Sequence, residues 1–311
     1  TAGRWGRVTT VARFLFAATA LAGHVNPALP LVSALTSAGP RVRFMTGVIF
    51  EEAITRAGAE FVPGPPEADY RDPNLDRQFP ARAALKGIKK LQWDVAHVFV
   101  APIAAQAARV RELLAEEAAD VIVSDYVCLG ATLAAERDGV PLATYGISIL
   151  PFPSRDLAPF GLGLAPMAGP IGHLRNRVLN ALVRRVVFGF SIGLMDAQRV
   201  KVGLPPAGAT PMEVVTPPVA LFQMSPRGFD YPRGDLPDWI HYLGHPRSGP
   251  APAGWTPPVW WHEVTRGDRP VVVVTQGTLA TDLDELVRPA LAGLAGEDVL
   301  VVALSAGADP A

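Results

Sequence analysis

Short apolar runs that alternate with helical stripes constrain this chain more than any other feature. Phe14 to Ala18 forms one such run. Leu31 and Leu35 then repeat at helical spacing until Gly39, and a second apolar stretch follows from Arg41 to Thr46. Asn26 and Pro27 offer an N-cap and a first-turn proline for the intervening helix. The segment predicts a β-α-β unit.

The alternation returns further along. Ile103, Ala107, Val110 and Leu114 mark one face of a helix ending near Glu116 and Glu117, and Val121 to Val123 reads as the next strand. After Asp125 a small-residue helix over 129–137 leads to Gly139 and a strand over Leu142 to Tyr145. Repeated units of this kind predict a parallel sheet with helices on both faces. Pro151 to Gly172 reads as a long Pro- and Gly-rich loop, and Val219 to Met224 and Ile240 to Leu243 as short strands. The prolines of Pro246 to Pro258 resist both helix and sheet, and the pattern restarts beyond them with the β-branched run Pro270 to Thr275. Asp282 and Glu285 suggest a helix start reaching to about Leu294, with a strand over Asp298 to Leu304. The expected fold class is α/β with two Rossmann-like parallel-sheet domains: 1–244, a linker over 245–262, and the start of a second domain over 263–311.

Composition removes several function classes. A hydrophobic share of 49% over 311 residues supports a large core, and a net charge of −1 without a Lys/Arg-dense face argues against nucleic-acid binding. Cys128 is the only cysteine, so no internal disulfide framework exists, in keeping with a cytoplasmic protein. The longest apolar candidate for a membrane span, Val178 to Met195, carries Arg184 and Arg185. Arg4, Arg7 and Arg13 ahead of Phe14 to Ala22 also have the form of a secretion signal, with Ala20-Leu21-Ala22 as cleavage site. Removing it would take away the first strand of the β-α-β unit, which favours the folded reading. The chain starts at Thr1, not Met, and stops just after a strand; both features read as those of a piece of a longer frame.

Chemistry is expected at the turns. His24 and Asp125 each follow a predicted strand of the same sheet, beyond whose carboxyl ends ligands bind. A carboxylate that holds one imidazole nitrogen fixes the tautomer and makes the other nitrogen a general base. The plainer readings are a structural histidine in a glycine turn and an aspartate that caps a helix. Asp282-Leu283-Asp284 has the form of a metal-binding D-x-D, but carboxylates opening a helix complement its dipole. No metal site is expected.

Three segments, GHVNPALPL from Gly23, SDYVCLGATLAAERDGVP over Ser124 to Pro141, and RPVVVVTQGTLA over Arg269 to Ala280, resemble family 1 glycosyltransferases of the bacterial macrolide and natural-product branch. The resemblance covers most of the chain in the family's order. It implies a two-lobed GT-B fold and an inverting transfer of sugar from a nucleotide-sugar donor to a hydroxyl of an apolar small-molecule acceptor. On it, His24 is the catalytic base, Asp125 its partner, and Gln276, Gly277 and Thr278 the donor-phosphate turn. The nucleotide sugar is a co-substrate and no cofactor is implied. Phe79, Trp93, Phe99 and Phe160 are candidate acceptor walls. The family's His-Gly-Gly donor loop is absent from this sequence, so a truncated second lobe and an inactive fragment are expected. A non-catalytic module that binds a lipophilic ligand or partner through the amphipathic Leu179 to Met195 segment stays open, as does peripheral membrane contact.

Overall fold

The computed structural model describes residues 11–72, 74–213, 215–246, 255–277 and 282–305. Seven parallel strands form the main sheet: β1 (Arg13–Ala17), β2 (Arg41–Thr46), β3 (Glu60–Pro63), β4 (Val121–Asp125), β5 (Leu142–Gly146), β6 (Ala220–Gln223) and β7 (Ile240–Tyr242). Their order is β3-β2-β1-β4-β5-β6-β7. The chain therefore steps outward from β1 to β3, returns to the middle, and steps outward the other way from β4 to β7. Between β1 and β4 the direction reverses, the point at which open parallel sheets of this kind place their ligand crevice. Right-handed crossovers on the two sides of the reversal place helices on opposite faces.

Register assigns the faces. Leu15 pairs with Ile122 and Ile122 with Leu142, so these three side chains share one face, together with Ala17, Ser124 and Thr144. That face is covered by α3 (Ile103–Glu116), α4 (Leu129–Asp138) and α6 (Gly189–Val202), which supply Val110, Leu113, Leu133 and Met195 to the main core. The opposite face carries Phe16 and Phe44, whose rings lie 5.5 Å apart, and also Asp125 beside Tyr145. A purely parallel sheet has no wet face, which explains why Leu15, Phe16 and Ala17 are all fully buried.

The helix after β1 departs from expectation. A one-turn helix, α1 (Ala22–Val25), precedes α2 (Ala28–Ser37), and Asn26 is itself helical with its N–H bonded to the Ala22 carbonyl. Pro27 has no N–H, so the ladder breaks between the two pieces and no side chain caps α2. His24 thus sits within a helical turn. The Pro- and Gly-rich loop ends sooner than expected, because α5 (Gly169–Val186) already begins at Gly169.

Two compact units emerge: 1–71 with 81–248, and 72–80 with 249–311. In the second, β8 (Val271–Thr275) pairs in parallel with β9 (Leu300–Leu304), and α7 (Val287–Leu294) covers one side through Val287, Ala290 and Leu294. Val273 on the other side is 59% exposed. The expected helix from Asp282 is only a turn up to Val287, with the Glu285 N–H bonded to the Asp282 carbonyl. Pro289 explains this, since its ring would clash with the carbonyl of residue 285 in a longer helix.

Close approach of α3 to α4 seats the turn after β4. A Cβ added at Gly130 would meet the Gln106 side chain and lie 2.7 Å from the Ile103 carbonyl oxygen. Glycine to alanine inside a helix ordinarily stabilises by about 1 kcal/mol. Gly130→Ala should instead destabilise by about 1–3 kcal/mol through overpacking, read as a lower urea midpoint.

Candidate functional site

β1 and β4 deliver the two central side chains to the crevice where the sheet reverses. His24 Nδ1 lies 2.8 Å from Asp125 Oδ2. A carboxylate only accepts, so Nδ1 carries the proton and donates it; in the neutral imidazole the lone pair is then on Nε2. The His24 side chain is 12% exposed and that of Asp125 is fully buried. Oδ2 also accepts the Thr19 N–H at 3.4 Å, and Oδ1 accepts the Val127 N–H at 3.3 Å. These bonds fix the carboxylate and give the buried charge donors on both oxygens. Asp125 is thus not the N-cap of α4, which is Cys128 without a side-chain cap; its Oδ1 holds the Val127 N–H and its Oδ2 engages the histidine.

Tyr145 was not singled out by sequence reasoning. Its hydroxyl donates to the His24 carbonyl oxygen at 2.9 Å, which ties α1 to β5. The only sequence signal for it is a polar-tipped aromatic near the end of an otherwise apolar strand. Register places it directly beside Asp125. Burial, reinforced by the negative charge of Asp125, holds its phenol well above the ordinary value.

The four aromatic candidates scatter. Phe99, from a π-helical stretch over Val95–Val100, has its ring 6.1 Å from that of His24 and is the one that joins the pair. Phe160 lines a cavity of about 330 Å³ with Leu150, Phe152, Leu157 and Tyr231, inside the first unit. Trp93 stacks on His97 at 4.4 Å, a turn away on the same helical run. Phe79 was expected in the first domain, yet it lies in the 72–80 segment that groups with the second unit. Contacts made after folding decide that membership, and sequence position conceals it.

On the second unit, Gly277 follows β8 with φ +79°, a conformation that favours glycine, and its N–H donates to Thr275 Oγ1 at 3.3 Å. Gln276 Nε2 donates to the Asp282 carbonyl at 2.9 Å. Thr278 lies outside the described residues. Among the described residues no cluster of three or more His, Cys, Asp or Glu side chains is set to hold a metal, and Asp282 spends its carboxylate on the Asp284 N–H.

No family model matches the chain. Relatives do. It is 42% identical over 294 residues to 4'-demethylrebeccamycin synthase of Lentzea aerocolonigenes, a match that takes in 94% of this chain and 69% of that protein. The chain belongs to the family 1 glycosyltransferases. UDP-glycosyltransferase 2 of Phaeomoniella chlamydospora is 29% identical, over 93% of this chain and 66% of its own length. The crystal structure of a calicheamicin glycosyltransferase superposes with a TM-score of 0.64 at 20% identity, over 97% of this chain and 68% of its own. Another, the glycosyltransferase of kitacinnamycin, gives 0.63 at 19%, over 94% and 65%. The fold is thus GT-B, as the resemblance implied, and this member of the family spans about two thirds of the length of such relatives.

Cys128, the residue before α4, is fully buried in this glycosyltransferase, and burial together with the nearby charge of Asp125 pushes its thiol up to about 12. A free thiol ionises near 9, so the unfolded chain loses this proton first. Stability linked to Cys128 is therefore full below pH 9 and falls as pH rises toward 12. At pH 8 a disulfide-forming thiol reagent should label Cys128 only as fast as the protein opens, with labelling accelerated by urea.

Proposed function

We propose that this protein is an inverting glycosyltransferase that moves a sugar from a nucleotide diphosphate donor to a hydroxyl of an apolar small molecule, with His24 as general base. The observation that carries this reading is the 2.8 Å contact between His24 Nδ1 and the buried Asp125 carboxylate. In the neutral imidazole it places the proton on Nδ1 and the lone pair on Nε2, on a side chain that is 12% exposed. Nε2 takes the acceptor proton as the acceptor oxygen bonds to the anomeric carbon, and the diphosphate leaves from the opposite face with the bonding electrons. Asp125 stabilises the imidazolium that forms. Phe99 beside the ring and the apolar cavity lined by Phe160 are candidate walls for the acceptor.

The donor turn is assigned to Gln276, Gly277 and Thr278 just past β8; the Gly277 N–H, which donates to Thr275 Oγ1 in this structure, would have to turn to a phosphate oxygen. Support for such a donor comes from relatives named UDP-glycosyltransferase and from a neighbouring glycosyltransferase, VinC, solved in complex with dTDP at a TM-score of 0.54. The name of the rebeccamycin relative supports a natural-product acceptor. The base mechanism needs no metal and no cofactor besides the nucleotide sugar.

Transfer from UDP-glucose and dTDP-glucose to a panel of hydroxylated aromatic natural products, measured on a protein of the relatives' full length, tests the assignment. His24→Ala should lower kcat by ~10²–10⁴ while leaving nucleotide binding intact. Asp125→Asn should slow transfer as well, because a neutral amide cannot stabilise imidazolium. Near-normal turnover by the His24 variant would remove it from the mechanism.

A further inference from the structure

One helix of the first unit is built inside out. Along α5, Ile171, Leu174, Val178, Leu182 and Val186 are 75%, 62%, 57%, 54% and 65% exposed. Steps of three and four residues place them on one stripe, roughly 22 Å long and within an arc of about 120°. The side that faces the protein carries half-buried Leu179 and Val183, but its anchoring bonds are polar. Asn176 is fully buried, with its amide donating to the Arg155 carbonyl at 3.0 Å, and the Asn180 amide reaches the Ser154 and Leu157 carbonyls. Amides thus hold the helix down, and its apolar stripe points to the surroundings. A contiguous exposed stripe of this kind marks an interaction surface.

Charge identifies the partner. α5 contains Arg175, Arg177, Arg184 and Arg185 and no Asp or Glu, in a chain whose net charge is −1. Two of its basic groups are spoken for: Arg184 pairs with Glu213 and His173 with Asp156, each at 2.8 Å. Arg175 bonds only to the neutral Asn176 side chain and the Ala165 carbonyl. Arg175, Arg177 and Arg185 therefore have no carboxylate partner among the described residues. At about 100° per residue, positions 175 and 185 fall inside the arc of the stripe, one toward each side. An apolar stripe edged by unpaired arginines is complementary to a surface that is hydrocarbon beneath and anionic above.

On its own α5 does not meet the length and hydropathy of a membrane span. No single described helix is long and apolar enough to cross a membrane, and α5 and α6 together pass that test only as a pair bent by 65°. We propose that α5 lies flat in the interface of an anionic lipid bilayer, its stripe against the acyl boundary and its arginines among the headgroup phosphates. This reading is independent of the transfer chemistry assigned to His24.

Co-sedimentation of the 311-residue chain with vesicles tests it. Binding should appear with phosphatidylcholine mixed with phosphatidylglycerol, not with phosphatidylcholine alone, and should weaken as salt is raised. Val178→Glu with Leu182→Glu should abolish it. Arg177→Gln with Arg185→Gln should weaken it by more than tenfold, from roughly fivefold per arginine. All four positions are exposed, so circular dichroism should show unchanged folding, and the arginine pair provides a second readout should the glutamate variant misfold. The proposal is overturned by absence of binding, by equal binding to neutral vesicles, or by binding that neither variant alters. It is equally overturned if the chain self-associates through the stripe, seen as a dimer that the glutamate variant converts to monomer without vesicle binding.

Discussion

The parallel pairing of β1 with β4 is the contact on which the rest depends. β1 is paired on both sides, to β2 and to β4, and its last three residues are wholly buried. It pairs across the point where the chain reverses its direction of travel, so the two strand ends on either side of the crevice belong to segments about a hundred residues apart. His24 and Asp125 meet because those strands are in register. Shift β4 by one residue and Asp125 would turn to the other face of the sheet, among the helices of the main core.

Around this contact the structure layers polar restraint upon apolar packing. The main core under α3, α4 and α6 immobilises one face of the sheet, and on the other face Asp125 and Tyr145 stand side by side. Tyr145 holds the backbone of His24, and Asp125 holds its ring. Two restraints on one residue, from adjacent strands, leave the imidazole little freedom except to present Nε2. The general-base role proposed for His24 rests on this fixed geometry, because the cost of orienting the ring is met during folding.

The surface follows a different logic. Most of the molecule buries its apolar residues, yet α5 turns its apolar stripe outward and anchors itself through Asn176 and Asn180. Hydropathy along the sequence shows only that α5 is amphipathic. Which side faces in depends on the carbonyls of the 154–157 segment, which sit where the two amides can reach them.

Much of the scaffold was legible in the sequence. Apolar runs separated by helical stripes, glycine stops and a proline-rich break lead directly to parallel strands, because local periodicity and turn chemistry are short-range properties. Strand-end position brought His24 and Asp125 forward as candidates but left plainer readings open, and the family resemblance singled them out; Asp125 proves to be the last residue of β4. The misreadings concern proline placement and long-range grouping. Pro289 delays α7, Pro27 splits the first helix, and Phe79 joins the unit that sequence position would not assign to it. By itself, then, the sequence determined most of the strand and helix repertoire and the parallel sheet, and offered His24 and Asp125 as candidates. Tertiary structure alone decided the 2.8 Å approach of His24 to Asp125, the Tyr145 bond beneath it and the outward face of α5, since each of these depends on backbone groups brought together from distant parts of the chain.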